Sequence, residues 1–292
     1  MKKMLLAAAA LMLLLAACGT EEDQHYVKVS PSIGVSENGE TETDDPEDEL
    51  YKASTEDVGK IPGQKSTEEN ADTAESETEE KDGSRSFVIA IDPGHGGDYS
   101  GAVNGEYVEK DMNLKLSLMI RDYLLENYDN VTVFMTRTDD TTMSSDLAED
   151  LTLRVKAAKE AGADIYLSVH FNASEDHEGY GSMICVSKAE NITEGCYALA
   201  ESILSELEPL GFVNHGPYQR DSNDTYDENG NTVDYYAINR HGAENDLIAV
   251  IVENCYIDND IDVALFDTEE ELMAIAKADA VGAMNYLEST VK

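Results

Sequence analysis

The chain has 292 residues, enough for one or two domains, and carries 20 Lys and Arg against 61 Asp and Glu, a formal net charge of −41. That balance argues against nucleic acid as a partner, because binding phosphates requires clustered cations that displace counterions. It equally disfavours electrostatic attachment to anionic lipid headgroups.

In chain order, Lys2 and Lys3 precede a Leu- and Ala-rich run that is too short to span a bilayer comfortably. This is the layout of an export signal over residues 1–18. The word Leu15-Ala16-Ala17-Cys18 resembles the lipobox of bacterial lipoproteins. That resemblance implies cleavage before Cys18, acylation of its sulfur and attachment to the membrane through a lipid anchor. Residues 19–85 lack a sustained apolar pattern and contain acidic runs such as Glu75-Ser76-Glu77-Thr78-Glu79-Glu80. Such a segment buries too little apolar surface to offset the entropy of ordering it, so it is expected to act as an extended, disordered tether.

From residue 86 to 292, apolar runs of strand length alternate with segments of helical period. Phe87-Val88-Ile89-Ala90-Ile91 predicts a buried strand, followed by a loop at Asp92-Pro93-Gly94-His95-Gly96-Gly97. Met112, Leu116, Met119, Ile120, Tyr123 and Leu124 mark one helix face, with Glu109 in the first turn. Val131 to Met135 reads as a strand, and Leu147, Leu151, Val155 and Ala158 stripe the next helix. Asp164 to Val169 is a strand that delivers His170, and Ser182 to Val186 is another before the helix of Cys196, Leu199, Ile203 and Leu207. Leu247 to Val252 forms the last strongly apolar strand and leads to Glu253, and a helix from about Leu272 ends the chain. The alternation predicts an α/β fold, a single domain with a mostly parallel central sheet flanked by helices on both faces. In open sheets of this kind, sites gather beyond the carboxyl ends of the strands, where His95, His170 and Glu253 are expected.

Two imidazoles and one carboxylate, from His95, His170 and Glu109, can hold one Zn²⁺ while leaving the fourth tetrahedral position open, as catalytic rather than structural sites do. Each residue alone has a plain alternative: a loop histidine, a rim histidine, and a carboxylate favoured by the helix dipole. Their neighbouring words carry more. Ile91-Asp92-Pro93-Gly94-His95-Gly96-Gly97, Met135-Thr136-Arg137-Thr138-Asp139, Leu153-Arg154, Ser168-Val169-His170-Phe171-Asn172-Ala173 and Val252-Glu253 occur in this order. Together they resemble the zinc-dependent N-acetylmuramoyl-L-alanine amidases of bacterial cell walls. The resemblance implies that His95, Glu109 and His170 bind the metal and that Glu253 is the catalytic acid/base. The implied substrate is peptidoglycan, cut at the amide between the lactyl group of N-acetylmuramic acid and L-alanine, by an extracytoplasmic protein facing the wall. Two alternatives stand beside it, a peptidoglycan-binding lipoprotein without activity and a zinc peptidase acting on the stem peptide.

Asp92 and Asn172 are expected to fix the imidazoles by hydrogen bonds, and Arg154 to pair with a carboxylate beneath the site. The polar stretch from Gly216 to Asn239 reads as a solvated loop, or as a substrate rim with Tyr218, Tyr226, Tyr235 and Tyr236 as stacking candidates. His215 and His241 read as exposed loop histidines, with substrate contact or proton donation as the alternative. Cys185, Cys196 and Cys255 show no C-x-x-C spacing, which leaves three buried thiols, or one bridge and one free thiol. Physiological role and any activator protein are left unassigned by the sequence.

Overall fold

The computed structural model describes residues 85–227 and 229–291. The export signal, Cys18 and all but the last residue of the tether lie outside the described residues. In chain order the elements are β1 (Phe87–Pro93), β2 (Val103–Asn104), β3 (Tyr107–Val108), α1 (Glu109–Asn127), β4 (Val131–Met135), α2 (Leu147–Glu160), β5 (Ile165–Asn172) and β6 (Ser182–Val186). There follow α3 (Thr193–Leu207), β7 (Asn214–Tyr218), β8 (Asp221–Tyr226), β9 (Thr232–Asp234), α4 (Ala237–Glu244), β10 (Ile248–Tyr256), α5 (Asp260–Val263) and α6 (Glu269–Thr290). Six strands form one sheet in the order β4-β1-β5-β10-β6-β7. All neighbouring pairs are parallel except β10 with β6, so the mostly parallel sheet read from the alternation is present.

Both faces of the sheet are covered, because residues along each strand alternate between two apolar cores. On one face Ile89, Ile91, Leu167, Val169, Val250 and Val252 pack with Leu116 and Ile120 of α1, Leu199 and Ile203 of α3, and Ile275 and Ala283 of α6. On the other, Ala90, Tyr166, Cys185, Ala249 and Ile251 pack with Val155 and Ala158 of α2 and Ile238 of α4. Continuing the period of two toward the carboxyl ends puts Asp92, Ser168, His170 and Glu253 on this second face, where Arg154 of α2 reaches Asp92. Helix starts are fixed locally: the Asp146 side chain accepts the Glu149 N–H ahead of α2, and Thr268 and Glu271 form a capping box on α6.

The structure departs from the sequence reading at several strand ends. His170 and Glu253 lie inside β5 and β10 rather than after them. The apolar run stops at Val169 and Val252, but buried Phe171, Asn254, Cys255 and Tyr256 carry the strands further. The stretch from Gly216 to Asn239 is not a plain loop; it holds the end of β7, the β8–β9 hairpin and the start of α4. His215 lies in β7 and His241 in α4, so neither is a loop histidine. Cys185, Cys196 and Cys255 are buried and none forms a disulfide, which removes the alternative of a bridge. Among the described residues no helix is long and apolar enough to cross a membrane.

Asp279 of α6 is 1% exposed and faces the Asn254 carboxamide, 3.2 Å from each of its oxygens. Burial pushes its carboxyl up to about 8, against a smaller lowering by Asn254. At neutral pH the folded protein therefore keeps a proton that the unfolded chain releases near pH 4. Stability contributed by this group is full below that value and falls as pH rises toward 8. Asp279→Asn is expected to be more stable than the parent at pH 7, on the order of 2 kcal/mol in urea unfolding, with the difference vanishing near pH 4. A difference that stays constant across this range would show that Asp279 is ionised in the fold.

Candidate active site

Three elements bring the expected ligands together. Glu109 opens α1, where free backbone N–H groups and the helix dipole favour a carboxylate. Its Oε2 accepts the Ala102 N–H at 2.8 Å, which fixes the carboxylate plane. His170 comes from β5, and His95 from the loop after β1, with a left-handed backbone (φ 61°) that a non-glycine residue adopts only when its surroundings impose it. Glu109 Oε1 lies 3.1 Å from His95 Nε2 and 3.0 Å from His170 Nδ1. The three candidate ligand atoms all fall within 4.8 Å of one another. Ligands about 2.0–2.1 Å from a tetrahedral zinc stand about 3.3 Å apart, so two imidazoles and a carboxylate at these spacings fit such an ion.

Electrostatics bind the trio tightly. Burial disfavours the Glu109 carboxylate, but the His95 charge and hydrogen bonds from both histidines outweigh it and hold the carboxyl far below the usual range. Burial likewise works against His170 imidazolium, yet the Glu109 hydrogen bond and the charges of Glu253, Glu109 and Asp92 raise it to about 9. Glu253 pairs in register with His170 across β10 and β5, so the two residues lie side by side on the same face.

Beneath them runs a buried polar network. Asp92 does not touch an imidazole; its carboxylate accepts from Thr136 (2.5 Å), Ser168 (2.8 Å) and Arg154 (3.0 Å). Ser168 Oγ in turn stands 3.2 Å from His170 Nε2, so Asp92 acts on the ring through one hydroxyl. Burial raises the Asp92 carboxyl, but Arg154, Thr136 and Ser168 more than offset this and hold it below its ordinary value. Arg154 also pairs with Asp150 (2.7 Å) and donates to the carbonyls of Pro93 and His95. Asn172 departs from expectation: its side-chain oxygen accepts the Ala173 N–H, because β5 turns there into the following loop.

Several positioning groups were not singled out from the sequence. Arg137 donates to the carbonyls of Pro93, Gly94, Lys110 and Asp139, clamping the His95 loop to the start of α1. Asn113 donates to the Gly94 carbonyl and lies 3.4 Å from Glu109 Oε1. Its spacing of four from Glu109 and that of Ser168, two from His170 along a strand, were the signals available. Close packing also explains two glycines: a Cβ at Gly94 would overlap the His170 ring, and one at Gly101 the Glu109 carboxylate and the His95 ring.

A family model described as N-acetylmuramoyl-L-alanine amidase matches residues 89–285. The germination-specific N-acetylmuramoyl-L-alanine amidase of Bacillus subtilis is 40% identical over 114 residues, 36% of this chain and 47% of that protein. The N-acetylmuramoyl-L-alanine amidase CwlM of Bacillus licheniformis is 30% identical over 194 residues, 66% of each. The matched stretches thus span about half to two thirds of these relatives' lengths. Among solved structures, the catalytic domain of the N-acetylmuramoyl-L-alanine amidase CwlV from Bacillus (Paenibacillus) polymyxa is 27% identical, with a TM-score of 0.55 over 69% of this chain and 98% of that one.

Because Gly94 leaves no room for a side chain beside His170, Gly94→Ala is expected to weaken zinc binding about tenfold or more in calorimetric titration, with far-UV circular dichroism unchanged. Equal affinity would show that His170 is free to move aside.

Proposed function

This chain belongs to the N-acetylmuramoyl-L-alanine amidase family, and we propose that it hydrolyses the amide between N-acetylmuramic acid and L-alanine in peptidoglycan. The observation that carries the reading is the cluster of His95, Glu109 and His170 with ligand atoms within 4.8 Å, set beside Glu253. In this proposal the three residues hold Zn²⁺. The chemistry such an ion supplies when held is polarisation of the scissile carbonyl and a fall in the pKa of water to about 7.

The remaining work falls to the chain's own groups. Glu253, beside His170 on the same face of the sheet, accepts the proton of the attacking water and then passes it to the departing nitrogen of L-alanine. The products are a free lactyl carboxylate and a free amino terminus. Asp92, through Ser168, orients His170, while Arg154 and Arg137 hold the His95 loop by its carbonyls. No nucleophilic side chain is required, and Cys196 and Cys255 are unsuited to that part: burial pushes their thiols up, and both belong to the opposite core.

Residues 1–18 are taken as a lipoprotein signal and residues 19–85 as a tether that lets a membrane-anchored enzyme reach the wall. Supporting this are the paired lysines, the apolar run and the small residues before Cys18, followed by the acidic, apolar-poor stretch.

Incubated with purified peptidoglycan, the full chain is expected to release new amino-terminal alanine. Glu253→Gln should lower the rate by about 10² or more, and a zinc chelator should abolish release until zinc is restored. Alanine release that persists through both treatments would exclude this mechanism, and a new amino terminus other than alanine would point to a stem-peptide peptidase.

A further inference from the structure

The reacting groups occupy one row across the sheet, and that row does not end at Glu253. In register, His170 of β5 pairs with Glu253 of β10, and Glu253 pairs with Met183 of β6. Directly opposed residues of an antiparallel pair point to the same face, with Cβ atoms about 4.5–5.5 Å apart. Met183 is therefore the neighbour of Glu253 on the side away from His170. Alternation along β6 agrees, because Cys185, two residues on, packs into the second core and pairs with Ile251, two residues before Glu253.

Met183 stands where that core gives out. Cys185 is 1% exposed and Ile251 6%. Met183, one step further along the same face, is only partly buried and packs in neither apolar core. An unbranched, polarizable thioether is thus left partly open beside the proposed acid/base, where the core makes no use of it.

Strand order decides which half of the substrate comes here. β1, which leads to His95, lies beyond β5, whereas β6 lies beyond β10. His95 and His170 therefore stand on one side of Glu253 and Met183 on the other. In amide hydrolysis the scissile carbonyl belongs at the three ligands, and the leaving nitrogen must come within hydrogen-bond reach of the acid/base. The acyl half then lies toward His170, and the carbon bonded to the nitrogen lies past Glu253, toward Met183. That carbon bears the side chain of the first stem residue.

We propose that Met183 is the apolar contact for the side chain of the first stem residue, which places the peptide half of the substrate across β10 and β6. The inference rests on the amidase reading and adds a specificity determinant to it. A methyl group covers the thioether, glycine leaves it bare, and a branched side chain crowds it. One carbon more or less in an apolar pocket discriminates by about 10- to 200-fold.

The test uses the full, zinc-loaded chain and three muramoyl peptides that differ only in the first stem residue, L-alanine, glycine or L-valine. The parent is expected to favour alanine over each of the others about tenfold or more in kcat/KM. Met183→Gln, close in length but polar, should bring the alanine-to-glycine ratio down toward one. Met183→Ala removes the obstruction, so valine should gain on alanine about tenfold. A side chain that merely supports the fold would lower all three rates alike and leave the ratios standing. Calorimetric titration of Glu253→Gln with the same peptides, with and without Met183→Gln, reads the alanine preference without turnover. Parental ratios in both Met183 variants overturn the assignment, as does equal binding of the alanine and glycine peptides. If binding favours alanine and loses that preference with Met183→Gln, yet the parent releases no amino-terminal alanine, the amidase reading fails and the Met183 site stands.

Discussion

Arg154 and Asp92 meet 3.0 Å apart, with both side chains almost wholly buried, at the point where α2 crosses the carboxyl end of β1. Two charges taken out of water at this depth are tolerated only when geometry is good and every remaining donor and acceptor is engaged. Here they are. Asp92 receives Thr136 from the end of β4 and Ser168 from β5, while Arg154 adds Asp150 and the carbonyls of Pro93 and His95. The pair thus joins four elements and holds two of the three candidate ligands, His95 through its backbone and His170 through Ser168. Removing one partner would strand the other charge in a low dielectric, which typically costs about 3–5 kcal/mol. The left-handed backbone of His95 is held by the same clamp together with Arg137, which donates to the Pro93 and Gly94 carbonyls.

The fold was legible where burial drives it. Strands sandwiched between two layers of helices read as continuous apolar runs, and β1, β4, β5, β6 and β10 stand where those runs lie. Helical stripes on α1, α2 and α3 were equally plain, because each helix buries one face only. Illegible parts are held by polar bonds instead. In the hairpin, Asp227 accepts the N–H groups of Asn229 and Asn231, and Asp234 accepts Ser187 and the Lys188 N–H. A segment folded by its Asp and Asn side chains has the composition of a loop. β7 contains Gly216 and Pro217, residues that argue against a strand but are tolerated at the sheet edge where it lies.

The candidate site was legible for a different reason. His95, Glu109, His170 and Glu253 sit in words whose glycines, prolines and small polar residues have little use in a core, and the structure gives those neighbours work. Gly94 makes room for the His170 ring, Ser168 passes Asp92 to His170, and Arg137 ties the His95 loop to α1. The role of Asn172 misled because proximity in sequence to His170 is not proximity of side chains. Adjacent strand residues point to opposite sides, and Asn172, two residues on, is taken by its own turn.

The charge of the chain shapes this site as well as its surroundings. Asp92, Glu109 and Glu253 all favour a cationic His170, which is why the ring holds its proton to about 9. Arg154 is nearby but already shared between two aspartates, so it offsets little of the negative charge of Glu109 and Glu253. A divalent cation between His95, Glu109 and His170 would neutralise that surplus and free His170 to offer a lone pair, as metal ligation requires. The same field repels an anionic substrate, and in a chain of net charge −41 that repulsion extends over the surface, though salt screens it beyond about 8 Å.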